Sequence, residues 1–197
     1  MSLWGASDSD ESKPKNLTTA EKLEVSASAK GWIRESGSRL SGNGNTSATP
    51  EVLVAIGGLA VKLGAADITE IEWITTVADK SAGFTLSATL RFNEAVDVVT
   101  SGGTPTLAVT NGNQGASSGR GPHALAYVSG TGTNELIFSL AIAAANAATN
   151  EDDVLVFGAD PLALNSGTIK DAGTTTNATI TSVAGIGSAA GSITVVA

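Results

Sequence analysis

Phe84-Thr85-Leu86-Ser87-Ala88-Thr89-Leu90-Arg91-Phe92 places Phe84, Leu86, Ala88, Leu90 and Phe92 on one side of an extended chain and Thr85, Ser87, Thr89 and Arg91 on the other. That period of two is the pattern of a half-buried strand, with one face to a core and one to water. Leu136, Phe138, Leu140 and Ile142 repeat it against Ile137, Ser139 and Ala141. A Ser-Gly-Thr-Gly-Thr-Asn loop joins this run to Ala124-Leu125-Ala126-Tyr127-Val128 and predicts an antiparallel hairpin. Shorter strands are expected at Ile68 to Thr75, Thr106 to Thr110, Val154 to Phe157, Ala178 to Val183 and Ser192 to Val196. Short strands parted by Gly, Asn, Ser and Thr turns predict a mainly β fold of sandwich type.

Composition fits an interior of small and branched side chains. Aromatics make up only 4% of the chain, so Trp73, Phe84, Phe92, Tyr127, Phe138 and Phe157 are its large plugs. The 197 residues suffice for one sizeable domain and something smaller. With no cysteine, disulfides, thiolate metal sites and cysteine nucleophiles are excluded. No run of about 18 apolar residues occurs, so no membrane-spanning helix is expected. Met1 to Glu11 lacks a basic patch and apolar core, so export by a secretory signal is not expected either. The sequons at Asn16, Asn45 and Asn177 are accordingly read as coincidence in a Thr-rich sequence.

Charge divides the chain. Residues 1–40 hold six basic and six acidic side chains, and the remainder five and thirteen, so the net charge of −8 lies in the second part. An acidic body argues against nucleic acid as a partner, because phosphate binding needs Lys and Arg presented together.

The first 64 residues read as an N-terminal anchoring region, and residues 66–197 as the β-sandwich domain. Thr18-Thr19-Ala20-Glu21 is a capping-box pattern and predicts a short helix from Thr19 to Ala29. Gly31 to Glu35 reads as a short strand, Ser36 to Pro50 as a loop, and Glu51-Val52-Leu53-Val54-Ala55-Ile56 as a buried strand by its apolar run. Two of the three tryptophans, Trp4 and Trp32, fall in this thinly cored region, where burial against another chain is their natural use. Trp4, Trp32 and neighbouring Arg34 are therefore the candidate partner-binding residues.

Candidate chemistry is sparse. His123, the single histidine, lies beside a Gly- and Ser-rich stretch and reads as a solvated loop residue without a partner carboxylate or nucleophile. Glu151-Asp152-Asp153 reads as a solvated turn, calcium binding being its functional alternative. Asp171 reads as a turn residue bonded to its own backbone. No Gly-x-Ser-x-Gly elbow or phosphate loop is present. No enzyme, cofactor or metal ligand is expected. The apolar Ser192–Val196 strand is expected either to pair within its own sheet or to add to a neighbour.

The order of phrases carries a family resemblance. Leu90-Arg91-Phe92-Asn93-Glu94-Ala95-Val96, Gly103-Thr104-Pro105, Tyr127-Val128-Ser129-Gly130-Thr131-Gly132-Thr133 and Gly167-Thr168-Ile169-Lys170-Asp171-Ala172 together resemble the bacterial Ig-like repeat of surface adhesins. Ser2-Leu3-Trp4-Gly5, Ser12-Lys13-Pro14-Lys15-Asn16-Leu17-Thr18, Gly31-Trp32 and Glu51 to Ile56 resemble the N-terminus of small virion proteins of marine and cyanobacterial tailed phages. The two resemblances imply an Ig-like antiparallel β-sandwich behind a mostly extended anchoring arm with one short helix. They imply a capsid decoration or cement protein at the virion surface, bound to the major capsid protein in many copies, with weak host-surface carbohydrate contact as a further possibility. A neck or tail connector and a cell-surface adhesin fragment are the alternative expectations.

Overall fold

The computed structural model describes residues 14, 16–18, 21–22, 24–28, 31–34, 36–37, 45, 47–55, 65–113, 123–145 and 149–197. Its elements are β1 (Val25–Ser28), β2 (Gly31–Arg34), β3 (Glu51–Ala55), β4 (Ile68–Trp73), β5 (Ala78–Asp79), β6 (Phe84–Val99) and β7 (Thr106–Asn113). They continue with β8 (His123–Ser129), β9 (Thr133–Ile142), β10 (Asp153–Ala163), β11 (Thr168–Asp171), a one-turn helix α1 (Ile186–Ala189) and β12 (Ser192–Val196). The fold is mainly β, as the alternation predicts.

The large sheet follows the path β11-β6-β9-β8-β7-β10-β12-β5, with β4 beside β6 on the same edge as β11. Within it, β7, β8 and β9 are consecutive antiparallel neighbours, and β10 returns to lie beside β7. That arrangement is a Greek key, the connection common to most two-layered β folds. The pairing forms one continuous path, so the strands are not divided into two hydrogen-bonded sheets. The path curls back on itself: Trp73 on β4 stacks on Phe157 of β10 with ring centroids 4.1 Å apart, although β9, β8 and β7 lie between β10 and the β6 strand that β4 pairs with. Leu86, Leu90, Phe92, Leu107, Leu125, Leu136, Phe138 and Leu155 fill the space so enclosed, all fully buried. Burial of these side chains at about 1.5–3 kcal/mol each is the main force holding the curl.

The predicted hairpin forms in detail. Tyr127 Oη accepts from the Thr131 N–H at 3.0 Å, and Thr133 Oγ1 donates to the Gly130 carbonyl at 2.8 Å. Gly130 has φ +112, and a Cβ built there would overlap the Glu135 carbonyl oxygen, whereas Gly132 at φ +82 faces open space. Gly130→Ala is therefore expected to cost about 2–3 kcal/mol and Gly132→Ala only about 1 kcal/mol. Urea-unfolding midpoints check this, and equal losses at both sites would contradict it.

The chain enters the body at a tightly held point. Asp171 Oδ1 accepts from the Ala66 N–H at 2.8 Å, Asn93 Oδ1 accepts from the Asp67 N–H at 2.8 Å, and the Asn93 N–H returns to the Asp67 carbonyl at 2.9 Å. Asp171 thus bonds a backbone 105 residues away and not its own turn, and its side chain is fully buried. Residues 178–183 form no strand. They make only isolated bridging contacts such as Asp67 with Thr179, because this segment straps the entry point rather than joining a ladder. Ser192–Val196 is a strand with the expected bounds, and both its sides are occupied, by β10 and by β5. Of the two expected outcomes, β12 thus takes pairing within its own sheet, through Ser192–Thr194 to β10 and Val195–Val196 to β5.

The N-terminal region contains a folded unit where an extended arm was expected. β1, β2 and β3 form a separate antiparallel sheet in that order. The capping box is present: Glu21 Oε2 accepts from the Thr18 N–H at 2.9 Å, and Thr18 Oγ1 accepts from the Glu21 N–H at 3.3 Å. The Thr18 N–H, and the Thr18 hydroxyl that donates to the same Oε2 at 2.8 Å, hold the Glu21 carboxyl below its usual pKa. One turn follows, closed by the Lys22 N–H on the Thr18 carbonyl, and Val25–Ser28 is then strand instead of the predicted helix. Val25 is fully buried against Trp32, so tertiary packing overrides the weak helical stripe. β3 is a strand as expected but half-buried to exposed, since it lies at the end of a three-stranded sheet.

Candidate functional site: the joint between the two sheets

The charged groups of the fold converge where the small sheet meets the large one. Arg91 lies on β6 directly opposite Glu70 of β4 on one side and Glu135 of β9 on the other. Its Nη1 donates to Glu24 Oε1 at 2.8 Å, while Nη2 lies 3.1 Å from Glu135 Oε1. Glu70 and Glu72 complete the set at 3.7 and 3.8 Å. Glu24 immediately precedes β1 in the chain, so this ion pair ties the N-terminal sheet to the body, where β1 packs on β6.

The alternation of β6 predicts Thr89 and Arg91 to face water, yet they are only 7% and 3% exposed. The N-terminal unit covers the outer face of β6 at this point, so both sides of the strand are buried. Glu24 is itself 1% exposed, and a buried carboxylate is tolerated only when paired and hydrogen-bonded. Burial alone would lower the Arg91 pKa, but Glu135, Glu24 and Glu70 outweigh it and hold the guanidinium above its ordinary value. The arrangement is a clasp whose geometry is set by three strands, β4, β6 and β9.

The predicted partner-binding residues fall differently. Trp32 is fully buried among Val25, Leu17, Leu53 and Val54 as the centre of the small sheet's own core. Its indole area is used within the chain. Arg34 is 9% exposed, with its Nη2 3.8 Å from Glu21 Oε1, and serves the same unit. Trp4 lies outside the described residues. Neither Trp32 nor Arg34 touches the Arg91 cluster in a recorded hydrogen bond or ion pair.

The other candidates resolve into structural roles. Glu151 and Asp152 are exposed, but Asp153 is fully buried and accepts from the Asn150 N–H at 2.7 Å and from Asn111 Nδ2 at 3.0 Å. The three consecutive carboxylates therefore do not converge. Among the described residues no group of three or more His, Asp or Glu side chains is placed to hold a metal ion. His123 is not a solvated loop residue. It opens β8, is 5% exposed, and contacts Thr149 Oγ1 at 2.9 Å. Thr149 is fully buried, and Asp153 Oδ2 meets the Asn111 amide, an order of contacts different from the hydroxyl–imidazole–carboxylate chain of a catalytic triad.

The Arg91 cluster was missed in the sequence because its signal is pairwise. A lone Arg on the polar side of a strand is ordinary until the register sets Glu70 and Glu135 on either side of it. No helix among the described residues is long and apolar enough to cross a membrane.

Fold and joint together define a mainly β chain with a Greek-key body and a small N-terminal sheet clasped onto it by a buried ion pair. The chain matches no protein-family model, no curated protein and no solved structure.

Proposed function

We propose that this chain is a non-enzymatic structural protein of a tailed-phage particle, seated on the capsid by its N-terminal region and presenting the β body outward. The observation that supports the reading is the two-part build: a small N-terminal sheet with its own core, joined to a large acidic body by the Glu24–Arg91 pair. A decoration or cement protein needs such a rigid joint to hold a displayed domain at a fixed angle on a lattice. The partner is the major capsid protein or another virion protein, contacted by the segment around Trp4 and by exposed parts of the small sheet, such as Val52 on β3 at 42% exposure. The acidic body keeps neighbouring copies apart and does not favour nucleic acid.

The neck or tail is the second location, and the same build serves there as a connector. The adhesin-like phrases of the body keep a cell-surface fragment as the third.

Copy number separates them. Quantitative mass spectrometry of purified particles is expected to show this chain at unity, or a simple fraction, relative to the major capsid protein. A ratio of a few per cent would move it to the neck or tail, and absence from particles would overturn the virion reading.

A further inference from the structure

Four side chains close the body near the start of β8, at the far end of its strands from the Arg91 joint. His123 Nε2 lies 2.9 Å from Thr149 Oγ1 and 3.5 Å from Asn111 Nδ2. Asn111 Nδ2 in turn donates to Asp153 Oδ2 at 3.0 Å, and the same oxygen accepts from the Asn150 N–H at 2.7 Å. The cluster joins β7, β8 and β10 to the segment Thr149–Asp152 that leads into β10. All four side chains are at most 8% exposed.

The chemistry of these atoms favours the neutral imidazole. Asp153 as a carboxylate accepts only, so the atom of Asn111 that faces it is the amide nitrogen, a donor. That nitrogen lies 3.5 Å from His123 Nε2, a contact that is favourable when Nε2 is the ring's acceptor and the neutral imidazole carries its hydrogen on Nδ1. A second proton, on Nε2, would set an N–H against the Asn111 NH2 group. The Thr149 hydroxyl is able to rotate and accept from a protonated ring, but the Asn111 amide is held by Asp153 and is not.

We propose that this cluster is an acid-sensitive switch, in which protonation of His123 breaks its contact with Asn111 and loosens the Thr149–Asp153 segment from β7 and β8. Among the described residues the charged group facing His123 is Asp153 from β10. β7 contributes neutral Asn111, and the segment before β10 contributes neutral Thr149 and Asn150, with Glu151 and Asp152 exposed. Burial pushes the His123 pKa down, and the Asp153 charge opposes this without cancelling it. The sign follows. An unfolded histidine titrates near 6.5, and the folded one below that, so across the window between them the unfolded state binds more protons. Stability contributed by the neutral ring is fully present above about pH 6.5 and is lost as pH falls through this window.

Because the chain has one histidine, its ring signal in a proton NMR titration needs no assignment by mutation. The expected midpoint lies below the unfolded value of about 6.5, and a midpoint at or above that value overturns the proposal. Hydrogen exchange between pH 7.5 and pH 5.0, corrected for intrinsic rates, is expected to show loss of protection at 149–157. The loss is roughly tenfold for each unit of pKa depression. His123→Gln keeps an acceptor for Asn111 without titrating, and is expected to remove that pH dependence. The same loss of protection in both proteins, or none in the wild type, sinks the switch.

Discussion

Replacing Arg91 with methionine is expected to destabilise the protein by about 3–5 kcal/mol and to undock the N-terminal sheet. The substitution keeps most of the buried volume of the side chain but removes the guanidinium that lies against the buried Glu24 and against Glu70, Glu72 and Glu135. Mutual repulsion among four carboxylates and the desolvation of Glu24 act in the same direction, so the N-terminal unit leaves the outer face of β6. The expected readouts are a lowered urea midpoint and release of the first 55 residues by limited proteolysis, with the body remaining folded. Glu24→Gln tests the pair from the other side. The double variant should lose clearly less than the sum of the singles, because a neutral amide is not an unpaired charge once the guanidinium is gone. Because the pair is buried, the effect should persist in high salt, where an exposed bridge would be screened. An Arg91→Met protein with unchanged midpoint and proteolysis pattern would remove the clasp from the account.

Trp32→Ala carries the second large effect, about 3–5 kcal/mol localised to the small sheet. Trp32 is fully buried at the centre of a small core, and among the described residues the hydrophobic side chains packed there are Val25, Leu17, Leu53 and Val54, all smaller than the indole they would have to replace. Amides of β1 to β3 are expected to lose hydrogen-exchange protection while those of β7 to β10 keep theirs. The experiment also discriminates two roles for this residue. A tryptophan that served only as a partner anchor would weaken particle binding and leave exchange in β1 to β3 untouched.

The strands were legible in the sequence where alternation was strong. Phe84 to Phe92 and Leu136 to Ile142 lie within β6 and β9, and their apolar members Leu86, Leu90, Leu136 and Phe138 form the core. The hairpin at Gly130–Thr133 was readable too, because turn chemistry is local. The failures share one cause. Val25–Ser28 reads as helix because the capping box before it is genuine, but nothing local announces that Val25 will be buried against Trp32. Residues 178–183 alternate like a strand and find no ladder to join. His123 reads as a solvated loop residue and Asp171 as a turn residue bonded to its own backbone, because their partners, Thr149 and Ala66, lie 26 and 105 residues away.

The candidate site shows the same division most sharply. Period-two patterning assigned Arg91 to the outer face of its strand correctly and said nothing of what covers that face. The cover comes from Glu24, 67 residues earlier, and the flanking charges from strands whose register with β6 is set by packing of the whole curled sheet. Alternation and turn residues by themselves determined a mainly β chain, its strongest strands and its acidic body, since these depend on side-chain direction and backbone preference within a few residues. Only the tertiary structure decided which polar side chains are buried and which charges meet, because burial and ion pairing depend on what the rest of the chain lays over a face.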